Sequence, residues 1–102
     1  MANSVASRGG ILVGSQTVAT AGTEQALATT GRLVWSWLLI RAKGANTGQV
    51  YIGGSDVAST THEGLDADQE VTFFSRYDFD ISDIYSDVSV NGEGVDFYCW
   101  KS

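Results

Sequence analysis

The segment from Arg32 to Lys43 constrains this chain more than any other. Its even positions are Val34, Ser36, Leu38, Ile40 and Ala42; its odd ones are Leu33, Trp35, Trp37, Leu39, Arg41 and Lys43. β-branched and aromatic residues without Gly or Pro favour a strand, and a period of two sends these sets to opposite faces. Both faces are then apolar along the first eight residues. A strand with one face in water shows clean alternation of apolar and polar residues instead. Both faces therefore need cover. A chain of 102 residues has little length for a third layer. A neighbouring subunit is the natural cover for the second face, which makes Leu33, Trp35, Trp37 and Leu39 the candidate subunit interface. The alternative is that loops or the N-terminal arm fold over it.

The remaining stretches point to the same class. There is no proline, and twelve glycines help punctuate the chain. Turn signals stand at Gly9-Gly10, Gly22-Thr23, Gly44-Ala45-Asn46-Thr47-Gly48, Gly53-Gly54-Ser55 and Asn91-Gly92-Glu93-Gly94. Gly supplies positive φ without steric cost and Asn tolerates it. Between them lie short β-rich runs: Ile11 to Ala19, a weak one at Gln25 to Thr29, Gln49 to Gly53, Glu70 to Asp78, Ile84 to Val90 and Val95 to Trp100. Gln49 to Gly53, following a short turn, is expected to form a hairpin with Arg32 to Lys43. No window keeps a helical stripe for three turns. The expectation is an all-β chain, a small antiparallel β-sandwich or jelly-roll-like barrel over residues 11–102. A flexible arm over residues 1–10 is too small and polar to order alone.

Composition removes whole classes of function. One Cys, Cys99, cannot staple the monomer, and with a single His, His62, a zinc site would need several carboxylates or a partner chain. A net charge of −6 with only six scattered basic residues argues against nucleic acid, which draws its affinity from clustered Lys and Arg. The longest run of large apolar residues, Trp37 to Ile40, is far short of a membrane span. Met1 to Ser4 lacks the basic and apolar regions of a cleaved secretory signal.

Ten of the twelve acids fall between Asp56 and Glu93, so an acid-built site has to be weighed there. Asp78, Asp80 and Asp83 invite a calcium reading, but the oxygen spacing, glycine and distal Glu of an EF-hand are missing. A turn whose Asp side chains bond the local backbone fits the run better. His62, Glu63, Asp66 and Asp68 read as a polar loop. No Gly-x-Ser-x-Gly elbow or phosphate-binding glycine loop occurs, and Cys99 alternates with Val95 and Phe97 as a core residue would. No catalytic, cofactor or metal residue is assigned, and no enzyme is expected. The aromatics Trp35, Trp37, Tyr51, Tyr77, Tyr85, Tyr98 and Trp100 serve first as core, then as interface, and last as a sugar-stacking platform.

The segment Ala45-Asn46-Thr47-Gly48-Gln49-Val50-Tyr51-Ile52-Gly53-Gly54-Ser55-Asp56-Val57 resembles one found in small β-rich virion proteins of tailed bacteriophages. So do Gly64-Leu65, Glu70-Val71, Ser82-Asp83-Ile84-Tyr85-Ser86-Asp87 and Gly92-Glu93-Gly94-Val95. Together these cover roughly residues 30–98; the Trp35/Trp37 strand and Phe73 to Tyr77 depart from the pattern. The resemblance implies a virion part, made in the host cytoplasm. Head decoration proteins of this kind form homotrimers that cement the capsid, so the implied partners are a second and third copy and the major capsid protein. The arm Ala2, Asn3, Ser4, Val5, Ala6, Ser7 and Arg8 would grip that capsid protein. A tail-fibre or receptor module holding a glycan is the second function expected of such a fold. Neither nucleic acid nor membrane is among the implied partners.

Overall fold

The computed structural model describes residues 10–28, 33–58 and 63–101, with Trp35 and Lys101 by backbone alone. The chain is all-β. Among the described residues, strands β1 (Ile11–Thr17), β2 (Gln25–Ala26), β3 (Leu33–Ala42), β4 (Val50–Gly53), β5 (Glu70–Phe74), β6 (Phe79–Asp80), β7 (Tyr85–Val88) and β8 (Gly94–Lys101) follow in order, with a 3-10 turn at Ile81–Asp83. They form two antiparallel sheets. The larger runs β1-β8-β3-β5, with β6 pairing the start of β3 beyond β5; the smaller runs β2-β7-β4. Among the described residues fourteen apolar ones, led by Leu38, Ile40, Ile81, Val34, Val50, Val88 and Val95, are buried.

Alternation decides which side chains reach this core. On β3, Val34, Leu38, Ile40 and Ala42 are fully buried; on β8, Val95, Phe97 and Cys99 are buried. Val71 and Phe73 of β5 and Leu12 of β1 pack against the same cluster. The β3–β8 register shifts between Val34 and Leu38, where Ser36 adopts a φ of 64°. Such a bulge adds residues to one strand and bends it while leaving Val34 and Leu38 on the same face. The Ser36 carbonyl, freed from the ladder, accepts from Ser75 N–H at 2.8 Å.

The expected hairpin between Arg32–Lys43 and Gln49–Gly53 does not form: β4 pairs with β7 in the other sheet, not with β3. The reason lies in the connecting loop. Both flanks of β3 are taken by β8 and β5. The loop is pinned across to the β7–β8 turn, where the Glu93 carboxylate accepts from Thr47 N–H at 2.7 Å, Gly48 N–H at 2.9 Å and the Thr47 hydroxyl at 2.9 Å. Asn46 completes the tie, its Nδ2 donating to the Gly94 carbonyl at 2.9 Å. The stretch Glu70 to Asp78 also ends earlier than its alternation suggests, at Phe74. The chain bends there through Ser75, whose hydroxyl accepts from Tyr77 N–H at 3.2 Å.

A second tie joins the β1–β2 loop to the same end of the molecule. Asp87, nearly fully buried on β7, accepts from Gly22 N–H at 2.9 Å and from Val88 N–H at 2.8 Å. Asn91 accepts from Ala21 N–H at 2.7 Å. Between the sheets, buried Ser86 donates to Gln16 Oε1 at 2.6 Å, which satisfies a hydroxyl that would otherwise be costly to bury. Gly94 is required for close approach, since a Cβ there would run into the Gln16 carbonyl.

Candidate functional site

The outward face of the larger sheet is the feature that demands an explanation. Register places Val13 beside Tyr98, Tyr98 beside Leu39 and Leu39 beside Thr72, one continuous row across four strands. A second row has Ile11 opposite Trp100 and Trp37 opposite Phe74. Leu33 continues the face past the bulge, 55% exposed, and Phe74 is 80% exposed. Ile11, Val13 and Tyr98 are also exposed, while Trp37, Leu39 and Trp100 are half-buried and absent from the core cluster. Interaction sites are a common setting for contiguous apolar surface of this kind.

A charged row borders it. Ser15, Asp96, Arg41 and Glu70 lie side by side across the four strands. Lys43 Nζ stands 2.7 Å from Asp96 and donates to Ser15 Oγ at 2.6 Å; Arg41 meets Asp68 at 3.2 Å. The face is thus an apolar field with a polar margin, the pattern of a protein interface. The expected interface set sits on it as far as it is described. Leu33, Trp37 and Leu39 point outward, and Trp35 is placed by backbone only. Reading β3 alone misses Ile11, Val13, Phe74, Tyr98 and Trp100. Their alternation on β1, β5 and β8 was visible, but only strand order shows that they share a surface.

The other candidates disperse. Asp80 caps the 3-10 turn, accepting from Ser82 N–H at 2.9 Å and the Ser82 hydroxyl at 2.7 Å, so its carboxylate serves the backbone of its own loop. Asp66 accepts from Gln49 Nε2 at 3.1 Å, and Asp68 takes Arg41. Among the described residues no group of three or more His, Cys, Asp or Glu could hold a metal ion. Cys99 is buried in the core. His62 and the arm Ala2 to Arg8 lie outside the described residues. The two backbone amides and hydroxyl of the loop at Thr47 and Gly48 hold the Glu93 carboxyl below the ordinary carboxylate range, chiefly through Thr47 N–H, against a smaller opposing effect of burial. This is an anchoring carboxylate, not a general acid.

No family model matches the chain, and no curated protein does. Among solved structures, the IMPa metallopeptidase from Pseudomonas aeruginosa contains a similar fold, with a TM-score of 0.54 and 17% identity over 91% of this chain. The same metallopeptidase in complex with T-antigen matches with a TM-score of 0.54 and 18% identity over 92% of the chain. The chain spans only 12% and 13% of those proteins. The likeness is one of fold.

Proposed function

We propose that this chain is a non-catalytic virion structural protein, a capsid decoration protein that binds and stabilises a phage head as a homotrimer. The observation that carries the reading is the apolar outer face of the larger sheet, with Trp37, Leu39, Tyr98 and Trp100 at its centre. A surface of this composition gains most when a second protein surface removes it from water, and aromatic residues are favoured anchors there. The sequence resemblance to virion modules supplies the setting. A shell of many identical sites would then give avidity without a strong single contact.

Immunogold labelling of intact virions from the source lysate tests the setting. Gold over the heads is the expected outcome, and gold confined to the tail overturns it. Trp37→Asp tests the face, because a charge at its centre meets an unpaired desolvation cost in the assembly. The variant is expected to lose the trimer in light scattering; a variant that stays trimeric refutes the face as the contact.

A second reading, a glycan-binding tail or receptor module, is favoured by the exposed ring of Tyr98 lying one row from the charged groups of Asp96 and Arg41. The fold neighbour in complex with T-antigen gives that reading a second, weaker support. Hits on a glycan array with the assembled protein would favour it over the decoration role.

A further inference from the structure

Strand β1 forms one edge of the larger sheet, paired on one side with β8 along all seven of its residues. Which of its backbone groups face outward follows from the end of the ladder. Val18 N–H donates to the Glu93 carbonyl and the Val18 carbonyl accepts from Gly92 N–H, so the even residues turn toward β8. Antiparallel ladders alternate, so Ile11, Val13, Ser15 and Thr17 aim their N–H and C=O groups away from the sheet. Among the described residues nothing pairs with that edge. A long, flat edge is normally blunted by charge, proline or a bulge. β1, with the sequence ILVGSQT, has none of these.

Beside the edge lies a groove of about 480 Å³ between β1 and the β2 segment, floored by Ile81 and Phe97. Among the described residues no charged one lines it. An added strand would therefore find unpaired backbone on one side and an uncharged trough below.

We propose that a second copy of this chain supplies that strand, pairing β1 to β1 antiparallel about a two-fold axis through Gly14. The alternation fits only certain registers, since outward residues must meet outward residues. Centring on Gly14 places Val13 opposite Ser15 of the second copy and Ile11 opposite its Thr17, all four outward-facing. Four such pairs make about eight backbone hydrogen bonds, two from each pair. The Gly14 residues then face each other at a non-hydrogen-bonded position, where strands approach most closely, about 4.5 Å between Cα atoms. Glycine is suited to that position twice over, because a Cβ there would collide with the Phe97 ring. The inward pair, Leu12 and Gln16 of the second copy, falls over the groove. No like charges oppose each other across the axis, which matters in a chain of net charge −6. The contact goes beyond the face-mediated trimer and uses a different surface.

Residue-specific amide exchange on the full chain at several concentrations tests it, with Val13→Pro and Ser15→Pro as variants. Proline on an outward-facing edge position leaves the β8 ladder intact but removes the donor that the second copy needs. The expected result is slow exchange at Val13, Ser15 and Thr17 that strengthens with concentration. Sedimentation of each proline variant should show association weakened at least about tenfold, the loss of two hydrogen bonds per pair of chains. Trp37→Asp should retain a two-fold dimer, and Ser15→Pro, outside the apolar rows, should retain the face-mediated trimer, so failure of either contact is distinguishable from failure of the other. Fast exchange at those amides at every concentration overturns the proposal. So does protection independent of concentration, which would mean that the chain's own residues cover the edge. Association unchanged in the folded proline variants overturns it too.

Discussion

Asp87 offers the sharpest test of how this sandwich is held. Its carboxylate is buried and accepts two backbone bonds, from Gly22 in the β1–β2 loop and from Val88 on its own strand. Asp87→Ala removes both. The Gly22 amide lies in an exposed turn and recovers water, so its share is about 1 kcal/mol. Val88 is buried, and its stranded N–H costs the desolvation penalty of an unsatisfied donor, about 2 kcal/mol. The total is about 3 kcal/mol, and each kcal/mol shifts the midpoint of a domain this size by about 4–8 °C. Thermal unfolding followed by circular dichroism at pH 7 should show Asp87→Ala melting at least about 12 °C below the native chain. Asp87→Asn keeps a carbonyl oxygen in the same place and should lose less than half of that. An alanine variant within about 3 °C of the native chain would refute the claim that this carboxylate ties the loop to β7.

The Glu93 carboxyl titrates below its ordinary value of 4.5 in the folded chain, so its contribution to stability is present above that pH and is lost as pH falls through the folded value. Glu93→Gln should therefore be less stable than the native chain at pH 7, with the gap closing below pH 4.5 in melts run from pH 7 to pH 3. Gly94→Ala forces a Cβ into the Gln16 carbonyl and should cost about 1–3 kcal/mol by urea titration, with no change in secondary structure content. Cys99, buried between sheets, should react with an aromatic disulfide reagent only at the rate of unfolding; rapid labelling of native protein would contradict its place in the core.

The parts of the fold that were legible in the sequence are those fixed by local periodicity. Alternation along β3 and β8 placed Leu38, Ile40, Val95, Phe97 and Cys99 together on an inward face, and glycine clusters marked where strands end. Strand partnership was not legible, because it depends on non-local bonds. The expected β3–β4 hairpin fails on Glu93, forty-five residues from Gly48, which holds the connecting loop on the other sheet. The Ser36 bulge was hidden for a related reason: a serine between two tryptophans carries no local signal for positive φ. The site was half legible. The odd positions of β3 announced an apolar outer face, yet Val13, Tyr98 and Phe74 join it only through the order β1-β8-β3-β5.

That order also sets when the molecule can fold. β8, the last of the described strands, occupies the interior of the larger sheet and separates β1 from β3. Neither of those strands can pair with β8 until residues Gly94–Lys101 have left the ribosome. Contacts between such distant parts of a sequence are slow to form, because the loop they close is entropically expensive. Until then Trp37, Leu38 and Leu39 lie on a strand that has only its β5 flank to pair with. A translational pause before β8 would lengthen the interval in which that open flank can find the same strand of another nascent chain.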